Sequence, residues 1–176
     1  MTNPQSQYAV TVLGHDRPGI IAETTALLAS LGLNIEDSTM TLLRGHFAMM
    51  LVCSGPASES DVATALEPLT ADGSLSVSVR ALPQDDVVGA AASSWVLTVH
   101  GGDRPGIVSS VLAEMARAGG NITDLTTRLA GDLYLLVAEI DLPADADAAA
   151  VEAAVRSAAE AVGVGATLRP VEADDL

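Results

Sequence analysis

The chain has 176 residues, 49% of them apolar and only 2% aromatic, which points to a folded core of Val, Leu, Ile, Ala and Met rather than to disorder. Its formal net charge of −15, from 23 acidic and 8 basic residues, repels a phosphate backbone and argues against direct nucleic-acid binding. All eight basic residues are Arg, and the missing Lys excludes both Schiff-base chemistry and a phosphate loop that closes on Gly-Lys.

Tyr8 to Leu13 is rich in β-formers and predicts a first strand. After a short loop, Pro18 suits the first turn of a helix, where its missing N–H is no loss. The residue before a proline avoids helical angles, so Arg17 lies just outside. Ile20, Thr24, Leu27, Leu28 and Leu31 then recur at helical spacing, and Gly32 stands where a left-handed residue ends a helix. Asn34 opens a second strand, which turns at Gly45 into a third, Phe47 to Cys53. A second helix is expected over Glu59 to Ala71 and a last strand over Leu75 to Leu82. Pro83 to Ser94, PQDDVVGAAASS, has the composition of a linker.

The pattern then begins again. Residues 9–42 align with 96–129 without a gap, at an offset of 87, and 16 of the 34 pairs are identical. The second copy predicts a strand at Trp95 to His100 and a loop with Arg104 before Pro105. A helix carrying Ile107, Val111, Met115 and Ala118 ends at Gly119. Asn121 opens a strand that turns at Gly131 into Leu133 to Ile140; a helix over Ala146 to Val162 and a strand over Val164 to Val171 complete the copy. The expected fold is α+β: two ferredoxin-like βαββαβ units in tandem, at 8–82 and 95–171, with antiparallel sheets and helices on one face. The third strands are apolar on both sides: Phe47, Met49 and Leu51 alternate with Ala48, Met50 and Val52, and Tyr134, Leu136 and Ala138 with Leu133, Leu135 and Val137. Such a strand is either central in a half-solvated sheet or buried against another domain or subunit, and on the second reading a homodimer is expected.

The string Gly-His-Asp-Arg-Pro-Gly-Ile (14–20) or Gly-Gly-Asp-Arg-Pro-Gly-Ile (101–107), followed after a helix by Gly-Leu-Asn-Ile (32–35) or Gly-Gly-Asn-Ile (119–122), resembles the ACT domain. Two such units resemble free-standing tandem ACT regulators of the glycine cleavage system transcriptional repressor type, and the regulatory segment attached to some phosphoserine phosphatases. The resemblance implies a small-molecule ligand, an amino acid, at a junction between ACT domains, and a signal passed to a partner protein. Carried over to this chain, the ligand-binding positions are Gly14, Asp16, Arg17, Gly19 and Asn34, and Gly101, Asp103, Arg104, Gly106 and Asn121. His15 borders the first site, where the second has Gly102. The loop residue that is often Asn in amino-acid binders is Asp in both copies; it favours a ligand's ammonium and opposes its carboxylate. The physics of the residues permits such a site. Gly19 and Gly106 allow close approach of the backbone, exposed N–H groups at the helix start attract a carboxylate, and Asn both donates and accepts. The competing reading takes the loops as plain strand-to-helix turns and the two Asn as turn-formers bonded to their own backbone.

Catalysis is not expected. His15, His46, His100 and one cysteine show no metal-ligand spacing, so neither metal nor cofactor is expected. No nucleophile-elbow motif Gly-x-Ser-x-Gly occurs. Asp145-Ala-Asp147 is similar to a phosphatase nucleophile motif, but it follows Leu142-Pro143-Ala144 instead of a strand directly and reads as a solvated helix start. No apolar run approaches the roughly 18 residues of a membrane span, Met1 to Gln7 does not read as a signal peptide, and the single Cys53 suits a reducing compartment, so a cytoplasmic location is expected. The function expected is a non-enzymatic sensor; the alternative is a protein-interaction module without a ligand.

Overall fold

The computed structural model describes residues 6–83 and 93–171. The chain divides into two compact units, Met1–Asp86 and Val87–Leu176. Of the expected linker, 83–94, residues 84–92 lie outside the described residues, and Ser93 and Ser94 belong to the strand that opens the second unit. The first unit runs β1 (Ser6–His15), α1 (Ile20–Ser30), β2 (Asn34–Leu43), β3 (His46–Gly55), α2 (Glu59–Leu66) and β4 (Leu75–Leu82). The second runs β5 (Ser93–Gly102), α3 (Ile107–Arg117), β6 (Asn121–Ala130), β7 (Leu133–Leu142), α4 (Ala148–Ala161) and β8 (Val164–Pro170). Each is a four-stranded antiparallel sheet, ordered β2-β3-β1-β4 and β6-β7-β5-β8, and each is the expected βαββαβ unit.

Alternation along the strands decides which face is covered. Val10 and Val12 of β1 and Met49 and Leu51 of β3 are buried together with Ile20 and Leu28 of α1 and Val62 and Leu66 of α2. Both helices therefore lie on one face. The second unit repeats this with Leu97, Val99, Leu136 and Ile140 under Ile107, Val111 and Met115 of α3 and Val151 and Val155 of α4. The helical spacing read from Ile20, Thr24 and Leu28 is the spacing that is buried. Thr24 is fully enclosed, and its hydroxyl donates to the Ile20 carbonyl at 2.8 Å, which satisfies the one polar group on that stripe.

Three local details differ from expectation. Pro18 and Pro105 are not helical. Each stands before a left-handed glycine, Gly19 (φ 94°, ψ −10°) or Gly106 (φ 93°, ψ −6°), which is the N-cap of a helix that starts one residue later. Proline followed by a positive-φ glycine is the pattern of a type II turn, so the turn precedes the helix. Second, α2 stops at Leu66 and continues as a single 3₁₀ turn, Glu67–Thr70. Pro68 has no N–H to donate and its ring clashes with the preceding turn, which ends the α-helical ladder there. Third, the first strands extend beyond the expected limits, to His15 and Gly102.

Asp147, half of the phosphatase-like pair, is the N-cap of α4, and its carboxylate accepts from the Ala150 N–H at 3.1 Å. Asp147→Ala should lower unfolding stability by about 1 kcal/mol through loss of the cap, while exposed Asp145→Ala should stay within about 0.5 kcal/mol of wild type. Paired urea melts measure both.

Candidate functional site

The two Asp-Arg-Pro-Gly loops lie where a central strand ends and a helix begins. Each loop is anchored by its backbone. The Asp16 N–H donates to the Gly45 carbonyl at 3.1 Å, the His15 N–H to the Ser74 carbonyl at 3.1 Å, and the Asp103 N–H to the Asp132 carbonyl at 3.2 Å. The bonds to Gly45 and Asp132 tie each loop to the tip of its own β-hairpin, and the bond to Ser74 ties the first loop to the start of β4. Gly14 and Gly101, carried over as ligand-binding positions, face their own sheets. A Cβ at Gly14 would run into the Ser74 carbonyl, and one at Gly101 would lie 2.7 Å from Val164 Cγ1. Neither position tolerates a side chain, because β4 or β8 passes too close.

Gly19 and Gly106 act through their positive φ. The carbonyl of each accepts the first helical bond, from the Glu23 N–H and the Ser110 N–H, both at 2.9 Å. No side chain caps either helix, so the earliest N–H groups of α1 and α3 have no internal partner. The side chains of Asp16 and Asp103 are exposed.

The arginines of the two loops differ. Arg17 makes a two-pronged ion pair with Glu23, Nη1 to Oε1 at 2.9 Å and Nη2 to Oε2 at 2.7 Å. That pairing holds the Glu23 carboxyl below its usual range and raises the Arg17 guanidinium further. Asp72 adds a second negative charge near Arg17. In the second unit the position of Glu23 is Ser110. The Arg104 guanidinium lies against Gly163, where an added Cβ would meet Arg104 Cζ at 3.0 Å. Among the described residues, Arg104 has no ion-pair partner. It borders a surface depression of about 400 Å³ lined also by Gly106, Ile107, Val108, Ser109 and Tyr134. The sequence alone does not mark Glu23, Asp72 or Gly163 as site residues, and it places Tyr134 only in an apolar strand. Glu23 carried a readable signal, since it stands one turn into the helix beside the loop.

His15 and His46 are register partners at the end of β1 and the start of β3. Their rings are 5.5 Å apart and inclined by 35°. Among the described residues, no group of three or more His, Cys, Asp or Glu is arranged to hold a metal ion.

Asn34 and Asn121 are exposed and open β2 and β6, as expected. The register puts each far from its own loop. Asn34 lies opposite Ser54, which lies opposite Gln7 at the start of β1, while Asp16 follows the end of that strand. Asn121, through Asp141 and Ser94, is placed the same way relative to Asp103. Eight residue steps of strand, roughly 25 Å, separate the two parts within one unit. The turns before both Asn are closed by backbone alone. Leu33 N–H donates to the Leu28 carbonyl at 3.2 Å and Gly32 N–H to the Ala29 carbonyl at 3.0 Å; Gly120 and Gly119 repeat this on Met115 and Ala116 at 2.9 and 3.1 Å.

The ACT domain matches this sequence twice, at residues 7–80 and 94–168. The chain belongs to the ACT domain family. Similar proteins include the glycine cleavage system transcriptional repressor of Escherichia coli, 29% identical over 161 residues, 87% of this chain and 84% of that one. A UPF0237 protein of Methanosarcina mazei is 36% identical over 81 residues, 46% of this chain and 88% of its own length. A crystal structure of a protein from Galdieria sulphuraria has a TM-score of 0.81 at 29% identity, covering 95% of this chain and 99% of that one. The domain and the repressor relative are regulatory in type, not catalytic. No helix among the described residues is long and apolar enough to cross a membrane.

Because backbone bonds alone close the turns, Asn34→Ala and Asn121→Ala should each change unfolding stability by less than about 0.5 kcal/mol. A drop of more than about 1 kcal/mol in urea melts would make the two Asn turn-formers.

Proposed function

We propose that this ACT protein is a non-enzymatic sensor that binds an amino acid and passes the signal to a partner protein. The observation that carries this is the same loop built twice: an exposed Asp, an Arg and a left-handed Gly at the mouth of a helix with uncapped N–H groups. Asp16 or Asp103 suits an ammonium. Arg and the helix start suit a carboxylate. A zwitterion needs both. A shallow loop buries little of a small ligand, so a second ACT unit supplies the missing wall, with its Asn34 or Asn121 at the junction. Since one unit keeps loop and Asn at opposite ends of its sheet, only a neighbouring unit can bring such an Asn to a loop.

The relative named a transcriptional repressor supports a regulatory role. With a net charge of −15, this chain would act on transcription through a protein, not by gripping DNA itself. A cytoplasmic location suits that role. The uncovered sheet faces carry Leu13 and Met50 in one unit and Leu133 and Leu135 in the other, 38–54% exposed. They fit a homodimer. The same residues favour the second reading, an interaction module with no ligand.

A thermal-shift screen of the common amino acids tests the sensor. At a hundredfold excess over Kd, binding adds about 2.7 kcal/mol, a rise in Tm of roughly 5–11 °C for a chain this size. Asn34→Ala or Asn121→Ala, whichever meets the occupied loop, should weaken binding about tenfold or more, the loss of a hydrogen bond to a charged group. Flat melts for every amino acid, with silent calorimetry, select the interaction module. Light scattering should give at least twice the 17.8 kDa chain mass; a stable monomer at micromolar concentration removes the dimer.

A further inference from the structure

We infer that the two loops are unequal: Arg104 in the second unit is open to a ligand's carboxylate, whereas Glu23 already fills that place on Arg17 in the first. This rests on the sensor reading, and it names which loop takes the ligand and by which group.

The argument starts from two arginines at equivalent positions. Arg17 presents its forked donors to both oxygens of Glu23 at 2.9 and 2.7 Å. That is the geometry by which a guanidinium binds any free carboxylate. Glu23 is tethered six residues away, so it competes as an intramolecular partner with an effective concentration on the order of millimolar or higher. Asp72 makes the neighbourhood still more negative. A diffusing carboxylate must displace Glu23 against that field.

The second unit lacks both obstacles. Ser110 replaces Glu23. The register of the last strands sets Ala161 where the first unit has Asp72, and the absent side chain at Gly163 leaves room for the Arg104 guanidinium. Arg104 also lines a depression of about 400 Å³ whose other walls are Gly106, Ile107, Val108, Ser109 and Tyr134. The volume is in the range of small-molecule sites. The depression is mainly apolar, and Arg104 is the one charged residue among those that line it. It suits a small amino acid whose carboxylate meets Arg104 and whose aliphatic part meets Val108 and Tyr134.

The test follows the arginine Nε–H resonances of the full-length protein by NMR. Sodium acetate is titrated against sodium chloride at constant ionic strength, and each common amino acid is then added singly. In wild type the Arg104 resonance should shift with acetate severalfold more than that of Arg17. Glu23→Ser should give Arg17 a response like that of Arg104, and Ser110→Glu should silence Arg104. Equal responses of the two arginines in wild type would overturn the inference. So would an Arg17 that stays silent in a folded Glu23→Ser protein. For any amino acid that binds, Arg104→Gln should weaken affinity at least tenfold while Arg17→Gln leaves it within twofold. Undiminished binding in Arg104→Gln would defeat the inference and leave the sensor reading intact. The acetate pattern without binding of any amino acid would keep the inequality of the loops and defeat the sensor reading.

Discussion

The structure of each unit depends on one reversal of direction, at the end of its central strand. The strand must deliver its chain to the helix-bearing face within four residues. The Pro-Gly pair does so because Gly19 and Gly106 adopt a positive φ that costs an ordinary L-residue roughly 1–2 kcal/mol. From that turn the rest is set. The helix starts with Ile20 or Ile107 pointing into the core, the stripe at three- and four-residue spacing is buried, and a backbone-closed turn returns the chain to the edge strand. The same reversal leaves an Asp and an Arg outside the core, beside helix N–H groups that nothing in the helix can satisfy. Fold and candidate site are thus consequences of one local geometry.

Duplication preserved that geometry and let its surroundings drift. Residues that shape the turn are identical in the two copies: Asp, Arg, Pro, Gly, Ile. Those that touch the turn from outside are not. Glu23 faces Arg17, but Ser110 stands at the matching place. His15 and His46 stack in the first unit, where the second has Gly102 and Asp132. A turn constrained by backbone angles has few substitutes, whereas an exposed ion pair adds little to folding and is free to change. The differences between the two loops therefore collect where stability is least concerned.

Much of the fold was legible because burial leaves a period in the sequence. Ile20, Thr24 and Leu28 announce their helix, the apolar run Phe47 to Cys53 announces β3, and the offset of 87 announces the duplication. Where structure and pattern part, the causes are specific. Proline is common in a helix's first turn, but the glycine after Pro18 makes a turn that precedes the helix. The apolar spacing of α2 continues through Leu69, which the 3₁₀ turn buries all the same, while Pro68 breaks the hydrogen bonding. The site was legible only as residue types. The pairing of Arg17 with Glu23 spans six residues and follows no periodicity, and the seat of Arg104 on Gly163 joins positions 59 residues apart. No local pattern reports either one.

The separation of Asp16 from Asn34 bears on why such units come in multiples. The topology alone requires it: β2 runs parallel to β1 with β3 between them, so the residue that opens β2 lies beside the opening of β1, a full strand from the loop that follows it. No side chain spans roughly 25 Å, so a ligand held by both groups is held by two units at once. On that reading, affinity for the ligand exists only in the arrangement that brings a loop to a foreign edge strand. The ligand then favours that arrangement by the difference between a whole site and half of one. A tenfold preference corresponds to about 1.4 kcal/mol, the order of one hydrogen bond to a charged group, so even one Asn contact suffices to bias two states of comparable energy. A sensor built this way needs no moving part inside either unit.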